Sequence, residues 1–152
     1  MLLNPKIDKL NWDILQCLQE NARESFVAIG KKVGLTAPAV AERIKKMEDL
    51  GIINGYKPII GHTQTGHQLK AMITLGAFMG KLKPFLEAVK SFDEVLNCYR
   101  ITGNENIIME VVLKDQFHLE KFIDKLIQYG ETRTHIILSN VVSNAPILNK
   151  RA

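Results

Sequence analysis

Little in these 152 residues suggests covalent cross-linking, because the two cysteines, Cys17 and Cys98, stand far apart with no CxxC spacing. Each falls inside a predicted regular element, which reads as a buried thiol in a reducing cytoplasm rather than half of a disulfide. Long apolar runs are missing too. Stretches such as Ala71-Met72-Ile73 and Ile107-Ile108-Met109 fall far short of the ~20 residues that span a bilayer. The opening residues lack the charged start and apolar core of a secretory signal, so no membrane association is expected. The 4 histidines (His62, His67, His118, His135) share no element with a carboxylate at ligand spacing. No phosphate-binding glycine loop, GxSxG elbow or HExxH helix occurs. The sequence therefore points to no catalytic residue, no metal and no cofactor.

What is present is globular: 46% hydrophobic and 24% charged, with a net charge of +4. The length suits one ordinary domain or two small ones, and small domains often complete their cores by oligomerising. The placement of charge is more informative than its size. Lys31, Lys32, Arg43, Lys45 and Lys46 are opposed only by Glu42 across their stretch, a surface suited to a phosphate backbone.

Asp8 can cap a helix carrying Leu10, Ile14, Cys17 and Leu18 on one stripe, widened by Trp12 and Leu15. Ser25 offers a second cap, and Phe26, Ile29 and Val33 form the apolar face of a short helix. Gly34 stands where a left-handed residue would end that helix, with Leu35 as its apolar follower. Thr36 caps a third helix whose first turn tolerates Pro38 and whose inner face is Val40, Ile44 and Met47. Two helices joined through Gly34-Leu35-Thr36 form a helix-turn-helix. Ile52-Ile53-Asn54-Gly55-Tyr56 then reads as strand, turn and strand, making a wing. The ~100° helical step turns Pro38, Ala39, Glu42, Lys45 and Lys46 outward, with Arg43 on the flank. That is the arrangement of a recognition helix entering the major groove of double-stranded DNA, with Thr36 at the end that favours a phosphate.

Residues 62–68 read as a linker. Beyond them, residues 69–78 alternate as a strand, and Leu82, Phe85, Leu86 and Val89 mark a helix. Two strands over residues 95–102 and 106–114 are joined tightly at Gly103-Asn104-Glu105. Leu119, Phe122, Ile123, Leu126 and Ile127 give a second helix ending at Gly130, and residues 134–142 a last strand. The order β-α-β-β-α-β makes a ferredoxin-like sandwich with both helices on one face. The overall class is α+β, a winged helix-turn-helix followed by this sandwich. Alternation leaves Met72, Phe78, Leu96, Cys98, Ile108 and Val112 on the bare face, where a second copy of the chain would cover them.

One ordered set of residues goes further than any single element. Ile7-Asp8, Asp13-Ile14-Leu15, Leu18, Asn21-Ala22-Arg23, Ser25, Val33-Gly34-Leu35-Thr36, Val40, Arg43-Ile44, Glu48, Gly51-Ile52-Ile53 and Gly55-Tyr56 together resemble the N-terminal signature of the Lrp/AsnC regulators. Asn11, Ile29-Gly30 and Met47 depart from it at capping or packing positions. The pairing with a ferredoxin-like domain extends the resemblance over nearly the whole chain. It implies a DNA-binding domain over residues 1–61, a linker over 62–68 and a ligand-sensing and oligomerisation domain over 69–152. The implied function is sequence-specific transcriptional regulation by a cytoplasmic homodimer or higher homo-oligomer, modulated by a small-molecule, amino-acid-like effector. The DNA contacts expected are Thr36, Pro38, Ala39, Glu42, Arg43, Lys45 and Lys46. The loop at Thr102-Gly103-Asn104-Glu105-Asn106 is similar to the family loop that binds effectors where dimers meet, which nominates Thr102, Gly103, Asn104 and Asn106. Asn106 stands where the family usually has Asp and so brings no charge; read from its residues alone, the same loop is an ordinary hairpin turn. A few proteins of this architecture are tetrapyrrole decarboxylases. That chemistry calls for an Arg and His cluster, and here only Arg100, Arg133 and Arg151 lie in the second half.

Overall fold

The computed structural model describes residues 7–149, so Arg151 and the residues read for a secretory signal lie outside the described residues. The described chain forms two compact units, residues 7–58 with 142–149 and residues 59–141.

In the first unit three helices form because each has a cap at its start. Asp8 Oδ1 accepts from the Asn11 N–H ahead of α1 (Lys9–Glu20), and Ser25 Oγ from the Ala28 N–H ahead of α2 (Phe26–Val33). Thr36 Oγ1 accepts from the Ala39 N–H ahead of α3 (Ala37–Asp49). Caps of this kind contribute about 1 kcal/mol each. Ile14, Cys17 and Leu18 of α1, Ile29 of α2 and Val40, Ile44 and Met47 of α3 pack into one core.

The expected wing is not there. No strand occurs between α3 and residue 69 among the described residues. Gly51 turns the chain at φ 67, and the Ile52 and Ile53 N–H groups both donate to the Met47 carbonyl, at 2.8 and 3.2 Å. Both isoleucines then pack against the helical core instead of facing a partner strand. Their hydrophobicity closes the end of α3, and residues 54–60 run on exposed, in neither helix nor strand.

The second unit is a four-stranded sheet in the order β2-β3-β1-β4, built from β1 (Leu69–Ala77), β2 (Val95–Arg100), β3 (Ile107–Leu113) and β4 (Gly130–Ile136). All three pairings are antiparallel. Helices α4 (Leu82–Ala88) and α5 (Gln116–Leu126) supply Phe85, Phe122 and Leu126 to a core shared with Ala71, Ile73, Leu75, Ile107, Met109, Val111 and Leu113. Tyr129 meets Phe85 edge to face at 5.5 Å, and Phe92 meets Phe122 at 5.8 Å.

Three sequence expectations change in this unit. A register shift between Val95 and Asn97 adds a residue at Leu96, so strict alternation fails along β2. Cys98 consequently lies opposite Met109 and packs against the helix-side core, not on the bare face. The bare face itself is mixed. Met72, Ile108, Thr74 and Tyr99 share it with a polar row in which Glu110 holds Lys70 Nζ at 2.6 Å and accepts from Asn97 Nδ2 at 2.6 Å. Finally, β4 begins at Gly130 and ends at Ile136, four residues ahead of the expected start. Gly130 does not stop the helix. It lets β4 close on β1, since a Cβ there would collide with the Gly76 carbonyl.

Glu94 fastens α5 to the start of β2. Only 7% exposed, it accepts from Lys125 Nζ at 2.8 Å and from His118 Nε2 at 3.2 Å, while its carbonyl accepts from the Val112 N–H. His118 Nδ1 in turn accepts from the Lys114 N–H, which assigns the ring hydrogen to Nε2. Burial pushes the Glu94 pKa up, but the bonds from Lys125, the backbone and His118 outweigh it and hold the carboxyl below its ordinary 4.5. A depressed folded-state pKa means this stability is complete above the unfolded value and is lost as pH falls through the folded one. Glu94→Gln should therefore cost about 1–3 kcal/mol at pH 7, from charge-assisted hydrogen bonds. Thermal denaturation across pH checks this: the gap between wild type and variant should narrow as pH falls below the ordinary carboxylate range and through the depressed folded-state pKa.

Candidate nucleic-acid interface and effector loop

The orientation of α3 is set by the turn before it. Gly34 adopts φ 72, and the Gly34 and Leu35 N–H groups both donate to the Gly30 carbonyl, the second at 2.9 Å. Gly30 is buried, and a Cβ on it would fall on the Leu35 carbonyl oxygen. Glycine at 30 thus lets the turn fold directly against α2.

With Val40, Ile44 and Met47 buried, Thr36, Pro38, Glu42, Lys45 and Lys46 are exposed and Ala39 is half-buried. These six lie on the outward side of α3 and its N-cap, which exposed Glu48 and Asp49 continue toward the C-terminal end. Lys45 and Lys46 form no ion pair among the described residues, whereas Lys32 is held by Glu24 at 2.6 Å. Arg43 is differently employed. Its Nη1 donates to Asp8 Oδ2 at 2.8 Å and to Asn11 Oδ1 at 2.9 Å, clamping α3 to the first turn of α1. The Arg43 bond, helped by the Asn11 N–H, keeps the Asp8 carboxyl below its ordinary range. Asn11 has a clear structural use here: its amide oxygen is the second acceptor for that guanidinium.

The loop between β2 and β3 folds over the end of β1. Gly103 takes φ 113, the left-handed freedom expected of it, and Thr102, Gly103 and Asn104 are exposed. Asn106 is half-buried because its Oδ1 accepts from the Ala77 N–H at 3.2 Å, and its carbonyl accepts from the Ile101 N–H at 3.0 Å. Gly76 faces the Asn104 carbonyl, where a Cβ would stand 3.2 Å from the oxygen.

Sequence reasoning missed the groups beside this loop. Glu105 Oε1 stands 3.2 Å from Arg133 Nη1, an ion pair whose alignment falls short of a hydrogen bond. Arg133 lies opposite Thr74 in the β1–β4 register, and Thr74 is 7% exposed with no partner for Oγ1 among the described residues. Only the strand register brings these residues together, and nothing in their local sequence marks it. Among the described residues no cluster of His, Cys, Asp and Glu could hold a metal ion. No helix there is long and apolar enough to cross a membrane.

Comparison with known proteins gives matches to both units. The family model for the AsnC-type helix-turn-helix domain matches residues 7–48, and that for the Lrp/AsnC ligand binding domain matches residues 70–147. The chain is 34% identical to the uncharacterized HTH-type transcriptional regulator YezC of Bacillus subtilis, covering 88% of this chain and 95% of that one. It is 30% identical to the HTH-type transcriptional regulator LrpB of the same organism, covering 90% and 91%. Among solved structures, B. subtilis LrpC superposes with a TM-score of 0.86 at 25% identity, over 91% of this chain and 99% of that one. The regulator NMB0573 of Neisseria meningitidis, solved as a complex with L-Met, superposes with a TM-score of 0.87 at 25% identity, over 92% and 95%.

Proposed function

The chain belongs to the Lrp/AsnC family of HTH-type transcriptional regulators, and from that premise we propose that α3 reads double-stranded DNA while the β2–β3 loop takes an amino-acid-like effector. It is a regulator and not an enzyme, which removes the tetrapyrrole decarboxylase alternative. Its compartment in this reading is the cytoplasm, where the DNA is.

The observation that carries the DNA reading is the outward face of α3, where two exposed lysines follow a capped N-terminus bearing Thr36, Pro38 and Ala39. Lys45 and Lys46 contact phosphates in this account, and the capped end of α3 approaches the base edges. Small side chains there permit close approach but read few bases, so DNA shape carries part of the specificity. Arg43 acts by holding α3 to α1.

The effector reading is supported by the L-Met complex of the Neisseria relative and by the chemistry beside the loop. A zwitterion needs acceptors for its ammonium and donors for its carboxylate. Glu105 and Arg133 supply one of each, replacing the charge that Asn106 lacks. Assembly is the third element. Met72 and Ile108 on the bare sheet face, together with exposed Ile59 and Ile60, form apolar surface that a second copy would bury, and such dimers would associate further.

Each element has its own test. In fluorescence titrations with duplex DNA, Lys45→Ala and Lys46→Ala should each shallow the log K against log[salt] slope by about 0.9. Arg43→Ala should weaken binding at every salt concentration with the slope kept; unchanged slopes in both lysine variants would remove the α3 assignment. Sedimentation at micromolar concentration should give at least twice the 17.1 kDa chain mass, and a monomer would contradict the assembly. A thermal-shift screen of the common amino acids should find at least one that stabilises the wild type. Gly103→Val should abolish that shift and Asn106→Asp should alter it, since Asp keeps the acceptor for Ala77 while adding charge. No shift in any of these proteins would leave the loop an ordinary hairpin.

A further inference from the structure

The last described residues do not trail from the sheet. After β4 the chain bends at Asn144, whose φ of 48 is the only positive value among described non-glycine residues. Asparagine tolerates that left-handed conformation, and Pro146 then holds the chain extended. The bend and the stiff step deliver Ile147 to α1. There the Gln19 amide grips both backbone groups of Ile147: Nε2 donates to its carbonyl at 3.1 Å, and Oε1 accepts from its N–H at 2.7 Å. Asn149 is also partnered. The grip reads backbone and not side chain, for Ile147 itself is 75% exposed. Residues 142–149 thereby join the compact unit formed by the helix-turn-helix.

We propose that Gln19 is a positioning residue for DNA binding, acting through the C-terminal segment that it fastens to α1. The helical unit is then tied to the sheet unit by two chain crossings, at residues 58–59 and 141–142, instead of one. A second tether removes orientations that a single linker would allow. Freedom already removed in the free protein is not lost again when α3 docks on DNA, so the grip strengthens binding without touching the duplex. It also gives the sheet a second covalent route to the DNA-binding unit, leading directly from β4, the strand that carries Arg133.

The test compares full-length wild type, Gln19→Ala, Ile147→Pro and Ile147→Ala. Ile147→Pro removes the N–H that Gln19 accepts from, while Ile147→Ala keeps both backbone groups. Amide exchange by mass spectrometry reports on residues 142–149, and equilibrium titration uses a duplex from upstream of the protein's own gene at one salt concentration. Gln19→Ala should lose the protection of the Ile147 amide, and Gln19→Ala and Ile147→Pro should each bind DNA about 3- to 10-fold more weakly, the worth of one or two net hydrogen bonds. Ile147→Ala should match wild type in both. Three results would overturn the proposal: protection that survives Gln19→Ala, affinity unchanged once protection is lost, or Ile147→Ala weakening binding as much as Ile147→Pro.

Discussion

Where α3 points depends on how closely the turn before it lies against α2. Gly30 offers bare backbone to the Leu35 carbonyl, and its own carbonyl receives the N–H groups of Gly34 and Leu35. Any Cβ at residue 30 would push the turn away and swing α3 with it. Once the turn is set, Val40, Ile44 and Met47 fall into the core shared with α1, and the opposite face is committed to solvent or DNA. Arg43 completes the constraint from the other side by tying the flank of α3 to the α1 cap. The residues that remain outward, with two lysines that form no ion pair among the described residues, are a consequence of this packing.

In the sheet unit the corresponding constraint is the close approach of β4 to β1 at Gly130 and Gly76. Gly130 stands opposite Ala77 and Gly76 opposite Glu131, so the two glycines sit one step apart on the ladder, and the β2–β3 loop folds over Gly76. Asn106 fixes the loop through the Ala77 N–H, so its amide oxygen is engaged before any effector arrives. In the proposed effector site, recognition of charge would then fall to Glu105 and Arg133, which already face one another. An effector that binds there exchanges an existing ion pair for two new ones, so its gain is the difference between them.

Much of this was legible beforehand, for local reasons. The caps at Asp8, Ser25 and Thr36, the left-handed Gly34 and the alternation in β1 and β3 are short-range signals, and each stands where it was read. The failures share one cause, which is dependence on a partner distant in sequence. The bulge at Leu96 turned Cys98 inward because β3 sets the register of β2. Ile52 and Ile53 ahead of Asn54-Gly55 read as a strand before a turn, yet the exposed end of the helical core claimed them first. Gly130 looked like a helix stop, and only its distance to Gly76 shows why glycine is needed. The Glu105–Arg133 pair and the Gln19 grip on Ile147 lie far apart in the chain, and no local pattern announces either.

The account rests most heavily on α3 as the DNA-reading element, and amide chemical-shift mapping during titration with duplex DNA tests that directly. The largest changes should fall on residues 36–46 and at the start of α2, with the bare sheet face unmoved while sites remain unsaturated. Changes concentrated on the sheet around Met72 and Ile108, with residues 36–46 silent, would contradict it.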